Sequence, residues 1–169
     1  AIVQDASNMD QPMKTAIITG ASTGIGCASA QLFCDAGYDV FNLSRRECPV
    51  AGVNNIQCDM TSATAIDEAC AVLIKAIAGH SSVALVHNAC RMNKDSTTQC
   101  SSENLRQALE VNLIAANSIN QQLLPLLPPT SSVLYIGSTL SEKAVANSFS
   151  YVISKHALLG MMRASCQDL

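Results

Sequence analysis

Tyr151 and Lys155 stand four residues apart in Tyr151-Val152-Ile153-Ser154-Lys155. On a helix, residues i and i+4 share a face, which puts the ammonium beside the phenol. A free tyrosine has a pKa of about 10 and is protonated at neutral pH. A nearby positive charge favours the phenolate. Such a pair can donate a proton in a reduction and accept one in an oxidation. Ser138 lies thirteen residues earlier, at the end of an apolar run that reads as a strand. Its hydroxyl suits a carbonyl oxygen that gains charge, and serine equally suits a turn. Asn112 interrupts the apolar Val111-Asn112-Leu113. Asparagine is a poor helix-interior residue. It has two readings here, a structural hydrogen bond or an anchor for a water in a proton relay.

A second stretch carries binding chemistry: Thr19-Gly20-Ala21-Ser22-Thr23-Gly24-Ile25-Gly26. The apolar, β-branched Lys14 to Thr19 before it suits a buried strand. Glycine lets the backbone turn tightly and approach a pyrophosphate without a Cβ in the way. The following helix N-terminus offers unpaired N–H groups to that phosphate. The spacing is G-x-x-x-G-x-G rather than the commoner G-x-G-x-x-G of dinucleotide sites. Read alone, it fits a structural strand-to-helix turn as well as a cofactor cradle. Its expected contacts are Gly20, Ser22, Thr23, Gly24, Ile25 and Gly26.

These residues need elements to hold them. A helix is expected from Cys27 to Ala36, with Ile25, Ala28, Leu32 and Phe33 on its apolar face and Gly37 as its stop. Strands follow at Asp39 to Ser44 and around Asn55 to Cys58. A helix from Ser62 to about Ala78 takes Thr61 as its cap and buries Ile66, Ala69, Cys70, Leu73, Ile74 and Ile77. A strand spans Ser82 to His87. A long helix, capped by Ser101, runs through Leu105, Leu109, Leu113 and Ile114 to Leu124, where Pro125 ends it. The last strand is Ser132 to Gly137, and the last helix starts near Phe149. Alternating strands and helices predict a Rossmann-like α/β fold: a doubly wound parallel sheet with helices on both faces. Asp168-Leu169 gives no stop signal, so the fold is expected to be incomplete at its C-terminal edge. Residues 1–12 read as a loose leader. Residues 13–169 read as one dinucleotide-binding and catalytic domain with its C-terminal part absent.

Composition narrows the function classes. Of 169 residues, 49% are apolar and 14% charged, which is a globular profile. The net charge of -3 comes with no dense basic run, so neither nucleic acid nor an anionic membrane surface is an expected partner. No apolar run reaches the length of a membrane span. The eight cysteines form no C-x-x-C pair and no zinc spacing. They read as reduced thiols of a cytoplasmic protein, with no metal site. A metal or thiol redox function rests only on their number.

Cofactor choice is legible at the end of the second strand. An acidic residue there accepts the ribose hydroxyls of NAD. This chain has Ser44, then Arg45 and Arg46. Arginine matches phosphate geometry and keeps its charge. NADP(H) is therefore expected in preference to NAD(H), with Arg45 the main contact and Arg46 a solvated neighbour.

Together these motifs resemble the single-domain short-chain dehydrogenase/reductase family, from Lys14 to the end of the chain. Thr19 to Gly26 matches its T-G-x-x-x-G-x-G turn. Asp59 matches its acidic residue after the third strand, which implies an adenine contact shared with Met60. His87-Asn88-Ala89-Cys90 occupies its N-N-A-G segment, which adds Asn88 and Ala89 to the cofactor contacts. Cys90 stands where the family has glycine, and His87 where it has its first asparagine. Asn112, Ser138, Tyr151 and Lys155 match its catalytic tetrad in order and spacing. The resemblance implies that Tyr151 moves the proton and Ser138 positions the carbonyl. Lys155 then binds the nicotinamide ribose, and Asn112 supports a water. It implies an NADP(H)-dependent oxidoreductase acting on a small carbonyl or alcohol, and a homodimer or homotetramer. The alternative is a non-catalytic NADP(H)-binding module or an inactive, shortened homologue.

Overall fold

A computed structural model describes residues 13–169. The expected leader, residues 1–12, lies outside the described residues. Five parallel strands form one sheet in the order β3-β2-β1-β4-β5. They are β1 (Lys14–Thr19), β2 (Asp39–Ser44), β3 (Asn54–Gln57), β4 (Ser82–His87) and β5 (Ser132–Tyr135). β1 is central. Its Ile17 pairs with Phe41 of β2 on one side and Leu85 of β4 on the other. The chain leaves β1 towards β2 and β3, then crosses back to β4 and β5. That reversal opens a crevice at the C-terminal ends of β1 and β4, the usual ligand position in such sheets.

Strand side chains alternate between faces, and helices cover both. Ile17, Leu43 and Leu85 meet Ile66, Cys70 and Leu73 of α2 (Ala63–Ala76) and Ile119 and Leu123 of α4 (Ala115–Leu123). Ala16, Ile18, Val40 and Val86 meet Ala30 of α1 (Gly24–Asp35). This is the doubly wound, Rossmann-like arrangement.

Three local readings change. In α1, most of the expected apolar face points outward, with Ile25 63% exposed and Leu32 69%, while Phe33 packs against the core. The helix instead buries Gly26 and Ala30, small residues that let it lie close on the sheet. The cap of α2 is Ser62, whose Oγ accepts the Ala65 amide at 3.2 Å. Thr61 is occupied elsewhere, donating its amide and hydroxyl to Asp59.

The long helix is not one regular helix. α3 (Ser102–Leu109) passes through a π turn at Glu110–Ile114 into α4, and a short 3₁₀ turn at Leu124–Leu126 closes it. A π turn carries extra chain per turn, and one residue is worth about 100° of helical phase. The buried face runs through Ala108, Asn112, Ala115, Ile119 and Leu123, while Ile114 is exposed. The last helix, α5 (Phe149–Asp168), packs against α3, the π turn and a short turn at Thr139–Ser141.

Candidate active site

The glycine turn and the end of β4 are built as one unit. Gly20 has φ +72°, and a Cβ there would stand 2.9 Å from the Ala89 Cα. A Cβ on Gly26 would fall onto the Asn88 amide and 2.9 Å from the Ala21 Cα. Asn88 donates through Nδ2 to the carbonyls of Thr19 (3.0 Å) and Gly20 (2.9 Å). Thr19 Oγ1 accepts the amides of Asn88 and Ala89, each at 3.0 Å. No side chain caps α1 at Thr23, so its first-turn amides remain available to an anion.

The turn is also tied to β2 by a residue that sequence reasoning passed over. Asn42 is buried in the apolar run of β2. Its Oδ1 accepts the Ala21 amide at 2.9 Å. Its Nδ2 donates to the Arg46 carbonyl at 3.1 Å and to Asn55 Oδ1 at 2.8 Å. Ser44 Oγ donates to the same Arg46 carbonyl at 2.6 Å. Asn42 thus couples the glycine turn to the loop that carries Arg45. A lone polar residue inside an apolar strand was the available signal.

A cleft of about 900 Å³ opens over these elements. Gly20, Ser22, Thr23, Ser44, Arg45, Asp59, Met60, Asn88 and Ala89 line it, as do Cys90 and the α3 side chains facing them. Gly24, Ile25 and Gly26 do not. Gly24 opens α1, Ile25 faces solvent, and Gly26 lies buried beneath the turn. Four of the chain's five arginines, Arg45, Arg46, Arg91 and Arg106, lie on this cleft. The amide and hydroxyl of Thr61 hold the Asp59 carboxyl below its ordinary range, against the effect of burial, and Arg45 adds a smaller pull.

The catalytic candidates gather where α5 crosses the ends of β4 and β5. Lys155 is buried and lies with Nζ 5.7 Å from the centre of the Tyr151 ring. It donates to the Ile136 carbonyl at 2.7 Å. Ser138, two residues on, accepts the Leu140 amide at 3.1 Å and so caps the Thr139–Ser141 turn. Asn112 sits in the π turn, where its Nδ2 donates to Ser154 Oγ (2.8 Å) and the Arg91 carbonyl (2.9 Å). Its Oδ1 accepts the Arg91 amide at 2.6 Å. Both amide hydrogens of Asn112 are therefore used within the protein, and its side chain joins the β4–α3 segment to α5.

Cys90 and His87, the two positions that depart from the resemblance, have clear surroundings. Cys90 lies beside Lys155. Partial burial of its thiol raises it above the ordinary value, against the lowering pull of the ammonium. His87 is buried, stacked on Tyr135 at 5.0 Å, with Nε2 2.8 Å from Asn120 Oδ1. Burial lowers its pKa to about 4, despite the opposing effect of Asn120. Asn120 donates in turn to the Tyr135 hydroxyl at 2.7 Å. Among the described residues no cluster of His, Cys, Asp and Glu could hold a metal ion, and no helix is long and apolar enough to cross a membrane. All eight cysteines are free thiols.

The family model described as short chain dehydrogenase matches residues 14–169. The chain belongs to the short-chain dehydrogenase family. It is 30% identical over 165 residues to Protein MoaE of Klebsiella aerogenes, covering 92% of this chain and 62% of that protein. It thus spans less than two thirds of that relative's length. Among solved structures, a metagenomic short-chain oxidoreductase in complex with NADP is similar at a TM-score of 0.79 and 25% identity. That match covers 92% of this chain and 75% of the other. A 4-hydroxyisoleucine dehydrogenase complexed with NADH shares the fold at a TM-score of 0.80 and 21% identity, covering 92% and 69%. The family is one of oxidoreductases that use nicotinamide cofactors; of these two similar structures one holds NADP and the other NADH.

Proposed function

We propose that this short-chain dehydrogenase interconverts a small carbonyl compound and an alcohol, using NADP(H) in preference to NAD(H). The observation that carries the reading is the Tyr151–Lys155 pair on α5, with Lys155 anchored to the carbonyl of Ile136 at the end of the sheet. The turn at Gly20 and Gly26 has no room for a Cβ beneath it, and the unpaired amides of α1 face an arginine-lined cleft. Those features fit a dinucleotide phosphate chain.

Gly20, Ser22 and Thr23 would hold the pyrophosphate side, Gly24 and Ile25 through the first amides of α1 and Gly26 by letting the turn lie close; Asp59 and Met60 would hold the adenine, and Asn88 and Ala89 the middle of the cofactor. Arg45, with Ser44 beside it, would take the 2′-phosphate, and no carboxylate stands at position 44 to repel it. When bound, the nicotinamide supplies or takes the hydride. The protein's own part is orientation and proton transfer. Tyr151 gives its phenolic proton to the oxygen of the carbonyl under reduction and takes a proton from an alcohol under oxidation. Lys155, beside that phenol, would bind the nicotinamide ribose and favour the phenolate. Ser138 orients the substrate oxygen. Asn112 keeps α5 and the β4–α3 segment in register.

The test is steady-state oxidation of NADPH with a panel of ketones and aldehydes, beside a fluorescence titration of NADPH binding. Turnover that vanishes in Tyr151→Phe while binding persists supports the reading. Binding without turnover in the wild type overturns it in favour of a non-catalytic NADP(H)-binding module.

A further inference from the structure

Asp95 lies in the segment between β4 and α3, far from α5 in sequence, and is 6% exposed. Its carboxylate accepts the Ser150 amide at 3.0 Å and the Ser150 hydroxyl at 2.5 Å. Its backbone carbonyl accepts the Phe149 amide at 3.2 Å. Ser148, the residue before α5, makes no capping hydrogen bond with its side chain. The first amides of a helix have no partners within it. In α5 they are satisfied by an aspartate from another element. Burial opposes ionisation of this carboxyl, but Ser150 and the Cys100 thiol outweigh it and hold the group below its ordinary range. A carboxylate at this end of a helix also suits the dipole.

The next residue of α5 is Tyr151. One turn further on, Ser154 accepts from Asn112, which is bonded to Arg91 on both its amide and its carbonyl. The β4–α3 segment is therefore tied to α5 twice, at Ser150 and near Ser154, on either side of the phenol. The same segment carries Asn88 to Arg91 along the cleft.

We propose that Asp95 is a positioning residue for Tyr151: its carboxylate clamps the first turn of α5 to the cleft-lining segment and so sets the phenol relative to the bound cofactor. The inference deepens the hydride-transfer reading and rests on it for its kinetic consequence, though not for the clamp itself. A cap alone would only stabilise α5. A positioning clamp must also act on turnover more than on binding.

The test compares Asp95→Ala and Asp95→Asn with the wild-type chain. NADPH affinity is titrated, kcat and KM are measured with 4-nitrobenzaldehyde, and backbone hydrogen exchange is followed by region. In Asp95→Ala, kcat is expected to fall roughly 10- to 100-fold, the scale of a small misplacement of a reacting group. KM and NADPH affinity stay within about three-fold. Exchange at 149–151 speeds up by roughly five- to ten-fold, the loss of one cap, while α2 is unchanged. Asp95→Asn keeps an acceptor for Ser150 and restores most of kcat. Unchanged exchange at 149–151 in Asp95→Ala overturns the clamp, whether or not the wild type turns over. So does equal loss of kcat and NADPH affinity, or faster exchange throughout the chain. A wild type inactive on the aldehyde panel, with the local exchange change present, removes the hydride-transfer reading and leaves the clamp standing. In that case the positioning role for Tyr151 falls with the reading.

Discussion

Lys155 donates its buried ammonium to the backbone carbonyl of Ile136 at 2.7 Å. This bond fixes α5 against the end of the strand that leads to Ser138. Lysine contributes both a charge beside Tyr151 and a tether for the sheet end. Lys155→Met keeps much of the stem but removes both. Turnover should fall by about 100-fold or more, the range for losing an acid–base group's support. The melting temperature should fall too, because a half-buried carbonyl loses its partner. Initial rates and thermal unfolding, read side by side, check this. Retained activity would remove Lys155 from the mechanism.

Arg45 rides on a loop held by Asn42 and Ser44 through the Arg46 carbonyl. A charge-assisted hydrogen bond is worth roughly 1.5–3 kcal/mol. Arg45→Ala should therefore weaken NADPH binding by about ten- to a hundred-fold and leave NADH nearly unchanged. Parallel titrations with the two reduced cofactors decide it. Equal losses for both would mean that another group takes the 2′-phosphate, and Arg106 on the facing helix lines the same cleft.

Gly26 lies under the turn with no space for a Cβ, and the obstructing groups are the Asn88 amide, the Gly20 carbonyl oxygen and the Ala21 Cα. Gly26→Ala must displace Asn88, which holds the carbonyls of Thr19 and Gly20. Overpacking of this kind costs about 1–3 kcal/mol. Stability should drop by that amount in chemical denaturation, and NADPH affinity should fall with it. Asn88→Ala in the Gly26→Ala background should cost less than the sum of the two single changes, since the shorter side chain relieves the side-chain part of the clash and leaves only the Gly20 and Ala21 backbone to shift. Strict additivity would show that Asn88 does not transmit the effect.

Much of this arrangement is legible from local pattern. The strand–turn–helix at Thr19 to Gly26, the parallel pairing implied by alternation, and the pairing of Tyr151 with Lys155 depend on neighbouring elements and residues. The faces of α1 and of the α3–α4 run are not legible in that way. Close packing on the sheet selects Gly26 and Ala30 over the larger Ile25 and Leu32. Along α3, the π turn and α4 the buried line is Ala108, Asn112 and Ala115, and the larger Ile114 is left outside. Asn42 and Asp95 escape for another reason. Their partners, Ala21 and Ser150, are 21 and 55 residues away, and no periodicity records such contacts.

His87 gives a pH signature separable from that of the carboxylates. Its ordinary value is 6.5, and burial lowers it to about 4 in the folded protein. Between these values the unfolded chain binds a proton that the folded chain refuses, so stability rises with pH across the window. The contribution is complete above pH 6.5 and is lost as pH falls towards 4, a span worth roughly 3 kcal/mol at 1.36 kcal/mol per unit. Asp59 and Asp95 are both held below the ordinary carboxylate value of 3.8, so their losses come at lower pH. His87→Gln keeps a neutral donor towards Asn120 and removes the titrating ring. Urea unfolding at several pH values between 4 and 7 should show a steep dependence in the wild type and a much flatter one in the variant. Parallel curves would mean that His87 accepts its proton without opening the Asn120–Tyr135 network. The neutral imidazole would then not be a condition of the fold.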